Sequence, residues 1–343
     1  MGIKLKDLAS IKETSIDDLH GKILAVDAHN ILYQFLTTIR QRDGSLLMNS
    51  KGQVTSHLNG LFYRTTKLMQ KGLKLVFIFD GKPPEIKSKE LEKRKARKID
   101  AKAKFEVAKE KGEEAEMRKY ASRTTRLTPE MIEECKKLLE ILGLPVIQAP
   151  SEGEAQAAQL VKDKKAWAVV SQDFDNLLFG CPRVVRNLSV GGRQKKIGSL
   201  GWQVVKPELI SLSETLNELG IDQEQLIVLG VLVGTDYNIG GVPGIGPKKA
   251  LKLVKEVEDF DEIFEKVEWK KYFDMDWKEI FYTIKKMPVS KDYSLKWGEV
   301  DIHKLREMLV DDYEFSGERV DNQIKKWLKE KEGKKQKGLG EWV

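Results

Sequence analysis

Carboxylates recur in this chain at places where an alternating strand and helix pattern can put them to chemical use. Asp27 closes the apolar run KILAVD, Asp80 closes LKLVFIFD, and Asp173 closes AWAVVSQD. Open α/β sheets bind their ligands just outside the carboxyl ends of the strands, so three runs deliver an acid to one region. The stretch SQDFDN adds Asp175 two residues after Asp173, and APSEGEAQAA sets Glu152 and Glu154 two apart after the run LPVIQ. Asp236, in VLVGTDYN, follows another apolar run and brings the set to seven. Taken singly, Asp27 or Asp80 reads as a helix cap. Taken together, seven carboxylates in one place repel one another and raise one another's pKa values unless cations neutralise them. An oxygen-only donor set suits a hard ion, Mg²⁺ or Mn²⁺. The histidines His20, His29, His57 and His303 are scattered, so zinc is not expected. Two such ions side by side activate a water, polarise a phosphate and stabilise the departing oxygen, which makes the expected reaction metal-assisted phosphodiester hydrolysis.

Four apolar runs, ending at Asp27, Asp80 and Asp173 and centred on Val146, read as strands buried on both faces, with RVVRNL near Val184 as a fifth. Between them AHNILYQFLTTIRQ, TSHLNGLFYRTTKLMQKG and TPEMIEECKKLLEILG carry helical periodicity, the last with Thr128 as cap and Pro129 in its first turn. Strands alternating with helices predict an α/β fold with a central, mostly parallel sheet. From Gly81 to Arg126 the composition turns to charge with few large apolar residues, which predicts one or two exposed helices inserted into the core. After about Leu200 the pattern reads as wholly helical, through ELISLSETLNELG, DQEQLIVLGVLVG, KKALKLVKEV and FDEIFEKV. No internal repeat is evident.

The 343 residues, 41% of them hydrophobic, suffice for a folded core with insertions and exclude a disordered chain. Lys and Arg outnumber Asp and Glu by 60 to 53, and a net charge of +7 favours a polyanionic partner. Cys135 and Cys181 lie far apart, which supports neither a disulfide framework nor a zinc ribbon and points to an intracellular protein. No apolar run approaches the roughly 20 residues that span a bilayer, and MGIKLKDLAS lacks a signal-peptide core. Lys6 also breaks the myristoylation pattern.

VDAHNILYQF, FDGKPPEIKSKELEKR, APSEGEAQAA, SQDFDNLLFG and GTDYNIGGVPGIGPKKA together resemble the flap endonuclease family of structure-specific 5′ nucleases, and the similarity runs the length of the chain. The resemblance implies a PIN-like 5′ nuclease core with a helical arch and a helix-two-turn-helix DNA-binding motif. It implies one nuclease domain over residues 1–330, with an amino-terminal region of about 1–100, the arch at about 82–126, an internal region of about 120–260 that holds the DNA-binding motif at 226–256, and a helical part at 257–330. The activity implied is cleavage at the base of a 5′ flap by a two-metal mechanism, with 5′–3′ exonuclease activity, in Okazaki-fragment maturation and long-patch base excision repair. Asp27, Asp80, Glu152 and Glu154 would form the first metal site, and Asp173, Asp175 and Asp236 the second.

Lys87 and Arg94, seven residues apart on one helical face, match the family's catalytic basic pair, suited to charge developing on the attacked phosphate. Tyr33 matches an aromatic ring that stacks on a base beside the scissile bond. Gly2 matches a chain start that lies near the active site after removal of Met1. In GGVPGIGPKKALKLV, the backbone amides of Gly244, Ile245 and Gly246 suit a duplex phosphate, with or without a shared monovalent cation, and Lys248 and Lys249 follow in the first turn of a helix. Residues 42–64 match the wedge between two duplexes, with Thr55 and Arg64 as DNA contacts.

The tail, residues 331–343, reads as flexible, and its QKGLGEWV resembles the motif that folds onto a sliding clamp, through Gln336, Leu339, Trp342 and Val343. Val343 stands where the motif usually has a second aromatic. Stopping at this motif points to an archaeal enzyme, monomeric and acting on nucleoid DNA in the cytoplasm; a eukaryotic chain would act in the nucleus. A polymerase-associated 5′ exonuclease is disfavoured by the tail, a bubble-opening repair nuclease by the short arch segment, and a non-catalytic scaffold by the intact acidic set.

Overall fold

The computed structural model describes residues 5–41, 43–113, 116–117, 120, 124–188, 192–195 and 202–340, without the side chains of 89–91, 93–95, 97–98, 109, 192–195, 202–204 and 330–340. The short strand β1 (Ile11–Glu13) precedes β2 (Ile23–Asp27), which runs straight into α1 (Ala28–Thr38). A loop and α2 (Ser56–Gln70) lead to β3 (Lys74–Phe79), and α3 (Ser88–Glu110) rises from the carboxyl end of β3. Then come α4 (Pro129–Ile141), β4 (Val146–Gln148), α5 (Gly153–Lys162), β5 (Ala168–Val170), α6 (Asp175–Leu178) and β6 (Arg183–Arg186). Among the described residues β7 (Gly192–Lys195) and β8 (Trp202–Val205) form a separate two-stranded sheet, and β9 (Glu208–Ser211) returns to the main sheet.

That sheet has seven strands in the order β1-β9-β6-β5-β2-β3-β4. The pairs among β6, β5, β2, β3 and β4 are parallel, and β9 runs antiparallel to both β6 and β1. Successive residues of a strand face opposite sides, and both sides are covered here. Ala25, Val76, Ile78, Val169 and Val184 pack into one core cluster, while Leu24, Val26, Phe77, Phe79 and Val170 pack into the other. This double burial is why the strand sequences read as continuous apolar runs.

The expectation of an all-helical chain after Leu200 is corrected by two strands. Trp202–Val205 is β8, and Glu208–Ser211, the start of the stretch ELISLSETLNELG, is β9. Pro207 cannot donate to a helix ladder, and β9 finds its partners across the sheet in β6 and β1. Helix α7 (Leu212–Leu219) begins only after Ser211, whose Oγ accepts from Glu214 N at 3.3 Å. Beyond it lie α8 (Gln223–Val233), α9 (Pro247–Glu256), α10 (Phe260–Lys266) and α11 (Trp277–Lys285), all contributing to the core cluster that holds Ala25 and Val169.

From α11 the chain returns to the first half as an extended strap. Gln156 holds it at Ser290 through two hydrogen bonds of 2.9 and 2.7 Å, and Trp297 Nε1 donates to Leu75 O at 2.9 Å. After α12 (Ile302–Arg306) and a short π-helical segment, α13 (Gly317–Gly340) buries Val320, Ile324 and Trp327 in the cluster built by α1, α2 and α4.

One glycine sets how closely the sheet ends approach. A Cβ on Gly81 would lie 2.1 Å from the Ala149 carbonyl oxygen, and Gly81 N already donates to Ser151 O at 2.6 Å. Gly81→Ala is expected to destabilise the fold by about 1–3 kcal/mol, the usual cost of overpacking. The expected result is a lower melting temperature together with slower cleavage, since the residues that must give way carry Asp80 and Glu152; unchanged values of both would refute this.

Candidate active site

Asp27 is the last residue of β2 and the N-cap of α1, where its Oδ1 accepts from Asn30 N at 3.0 Å. Only 4% of it is exposed, and Ser171 Oγ donates to its Oδ2 at 3.2 Å. Burial, followed by repulsion from Asp80, pushes its pKa up to about 8. Asp80 follows β3 directly and accepts from Gly153 N, the first residue of α5, at 2.7 Å. His29 Nδ1 lies 3.2 Å from Asp80 N and 3.3 Å from Asp80 Oδ2. Burial holds the pKa of that imidazole below its ordinary value in spite of the carboxylate beside it. His29 is not among the residues expected at the site, and its place two residues after Asp27 is the signal the sequence holds for it.

Glu152 is the N-cap of α5 and Glu154 lies in its first turn, so both stand at the positive end of a helix. Burial nevertheless raises both pKa values, with Lys87 opposing the rise at Glu152 and Asp175 leading the repulsion at Glu154. Asp173 sits in the turn after β5, where Asn30 Nδ2 donates to its Oδ2 at 2.8 Å, and Asp175 opens α6. Asp236 stands after α8, in a turn tied by Asn238 Oδ1, which accepts from Thr235 N at 3.0 Å and from Thr235 Oγ1 at 2.7 Å. The seven acids named from the sequence are therefore linked to one another by charge repulsion. Asp27 feels Asp80 and Asp173, Glu154 feels Asp27, Asp173, Asp175 and Glu152, and Glu152 feels Asp80 and Asp236.

Lys87 enters this centre from the 3₁₀ turn that precedes α3. Its Nζ lies 3.0 and 2.9 Å from the two oxygens of Glu152 and 3.3 Å from Asp236 Oδ2, over the ring of Tyr237 at 5.7 Å. These acids hold the Lys87 pKa above its ordinary value although burial opposes it. The Tyr237 hydroxyl is pushed up as well, chiefly by burial and then by Glu152.

The donor chemistry fits a hard divalent cation. The oxygens are all carboxylate, and burial with mutual repulsion makes the site short of positive charge. Among the described residues, however, no three acids are drawn tightly enough around one point to hold an ion as they stand. The Lys87 ammonium is paired with Glu152 and lies 3.3 Å from Asp236.

The remaining expected residues fall into three groups. Tyr33 lies on α1 with 37% exposure, Thr55 is the buried N-cap of α2, and Arg64 lies within α2 with its pKa lowered by burial. Gly244, at φ +80°, turns the chain before α9, where Gly246 is the N-cap and Pro247 the first residue. Lys248 and Lys249 are exposed there, and Lys249 Nζ donates to Gly244 O at 3.0 Å. The third group lies outside the description, wholly for Gly2, Trp342 and Val343, and in the side chains for Arg94, Gln336 and Leu339. The backbones of Gln336 and Leu339 lie within α13, which runs on to Gly340.

Two family models match the chain, the XPG N-terminal domain over residues 1–101 and the XPG I-region over 143–236. The chain is 49% identical to flap endonuclease 1 of Thermococcus onnurineus over 346 aligned residues, covering 100% of this chain and 99% of the relative. Its fold is similar to flap endonuclease-1 from Methanococcus jannaschii, with 40% identity and a TM-score of 0.75 over 97% of this chain and 100% of that one. It is also similar to the catalytic core of Rad2 in complex with DNA substrate, with 25% identity and a TM-score of 0.70 over 95% of this chain and 100% of that one.

Proposed function

The chain belongs to the flap endonuclease family and is a structure-specific 5′ flap nuclease, and from that premise we propose that its seven carboxylates hold two magnesium ions at the base of a flap. The observation that carries this reading is that the seven acids lie near enough to repel one another, with the Lys87 ammonium bonded to Glu152 and 3.3 Å from Asp236. Asp27, Asp80, Glu152 and Glu154 hold one ion, and Asp173, Asp175 and Asp236 the other, with Mn²⁺ as a substitute. Bound ions supply Lewis acidity at the phosphate and make the attacking water easier to deprotonate.

Substrate contacts come from the chain itself. Lys87, together with Arg94 of α3, serves the phosphate and stabilises the charge that builds there. The Gly244–Gly246 turn and the exposed Lys248 and Lys249 hold a duplex phosphate without reading sequence, alone or with a monovalent cation. Tyr33 stacks on a base, and Thr55 and Arg64 serve the junction beside α2. Gly2, which lies outside the described residues, is assigned to contact with the substrate DNA. Gln336, Leu339, Trp342 and Val343 dock on a sliding clamp, which brings a monomeric nuclease to replication and repair junctions on nucleoid DNA in the cytoplasm. No helix among the described residues is long and apolar enough to cross a membrane.

One experiment tests these assignments together. Full-length protein is incubated with a labelled double-flap DNA, with Mg²⁺ or EDTA, and the cuts are mapped; a clamp is then added to this protein and to a chain ending at Lys335. Cleavage at the base of the flap is expected with Mg²⁺ and none with EDTA. Clamp stimulation is expected only for the full-length chain. Cleavage in EDTA would overturn the metal assignment, and a truncated chain with lower clamp-free activity would overturn the tail assignment.

A further inference from the structure

We propose that Asn30 is a positioning residue that fixes the separation of Asp27 and Asp173, and through them the separation of the two ions. This rests on the metal reading above. Asn30 lies in the first turn of α1 and uses three polar groups on three partners. Its backbone N–H donates to Asp27 Oδ1 at 3.0 Å, its Nδ2 donates to Asp173 Oδ2 at 2.8 Å, and its Oδ1 accepts from Gln172 N at 3.1 Å. Chemistry fixes the orientation of the amide, because a carboxylate needs a donor and a backbone N–H needs an acceptor.

Asp173 is thus tied to the helix that Asp27 caps, across 143 residues of sequence. Ser171, only 3% exposed, closes the ring by donating to Asp27 Oδ2 at 3.2 Å and accepting from Asp173 N at 3.3 Å. The far side of the loop is held too. Arg186 Nε donates to Gln172 O at 3.0 Å, its guanidinium lies 4.4 Å from the Phe174 ring, and Nη1 meets Glu208 Oε2 at 3.0 Å. Gln172 is therefore gripped at its N–H by Asn30 and at its carbonyl by Arg186. A turn after a strand would otherwise drift as the two carboxylates repel. Asp27 and Asp173 would hold different ions in this reading, so Asn30, bonded to both carboxylates, would link the two sites. Groups that orient metal ligands in this way commonly change metal affinity or activity by about 10- to 100-fold when removed.

The test uses the full chain without DNA. Mn²⁺ is titrated calorimetrically into wild type, Asn30→Leu and Asn30→Ser, none of which alters the backbone bond to Asp27. Both variants are expected to bind Mn²⁺ about 10-fold more weakly or worse. Their Mg²⁺ requirement for single-turnover flap cleavage is expected to rise in parallel, with kcat falling and KM for the DNA unchanged. Mn²⁺ affinity within twofold of wild type, in a variant with the native circular dichroism spectrum, would overturn the proposal, and a matched fall in melting temperature with intact Mn²⁺ binding would reduce Asn30 to a purely structural role. If Asn30→Leu does not fold, Asn30→Ser carries the same criteria. Wild type that takes up no Mn²⁺ would sink the metal reading itself, whereas uptake by wild type that the variants match would sink only this proposal.

Discussion

Asp80→Ala is expected to lose cleavage of a 5′ flap by at least about 1,000-fold, since a missing ligand forfeits an ion's contribution and a single oriented donor is already worth roughly 100- to 1,000-fold. The same variant is expected to melt no lower than wild type in EDTA. Asp80 repels Asp27 and Glu152, and its removal relieves both. The Gly153 N–H that it leaves behind lies beside a side chain 36% exposed, where water can replace the lost acceptor. Binding of flap DNA should stay measurable, because the duplex contacts proposed above lie elsewhere, around Gly244 and α9. Single-turnover cleavage, a melting curve in EDTA and a gel-shift titration check the three expectations separately. Retained cleavage would sink the two-ion assignment, and a large drop in melting temperature would show Asp80 to be mainly a cap for α5.

Lys87→Ala should fall next in severity, with kcat for flap cleavage lowered about 100-fold or more and KM little changed, as for loss of one group that meets charge developing in the transition state. Uptake of Mn²⁺ without DNA should move the other way. In the structure the ammonium bonds both oxygens of Glu152 and reaches Asp236, so it competes with any ion that uses those acids. Without it the centre is more negative, and Mn²⁺ is expected to bind more tightly. Slower chemistry together with tighter ion binding is a combination that simple unfolding cannot produce. Single-turnover kinetics and calorimetry distinguish them, and a loss confined to KM would count against the role.

The strands were legible where both faces are buried. β2, β3 and β5 have little but apolar residues, and the acids that end them announce a site because a strand end has one location in such a sheet. β1 and β9 were not legible. Ile11–Glu13 is mostly polar, and Glu208–Ser211 flows into a helix whose periodicity masks it; pairing across the sheet, not local sequence, makes them strands. Among the site residues, the carboxylates could be read from pattern, whereas Lys87 needed the family resemblance, since a lysine in a charged segment looks like any solvated one. Asn30 and Arg186 gave less. Asn30 sits three residues after Asp27, which a cap pattern explains fully, and its amide partner is 143 positions away. The hydrogen bonds of Arg186 to Gln172 and Glu208 are likewise fixed only when β5, β6 and β9 lie side by side.

The strap that leads from α11 back to the first half of the sheet has a consequence for the order of biosynthesis. Every carboxylate of the candidate site is synthesised by Asp236, yet one face of the sheet still lacks Leu305, Leu309, Val320, Ile324 and Trp327, which complete its core alongside α1, α2 and α4. Contacts this distant in sequence form late in folding. A nascent chain on the ribosome would therefore carry the full set of proposed ligands on an unfinished wall, to be completed only when α13 packs against it.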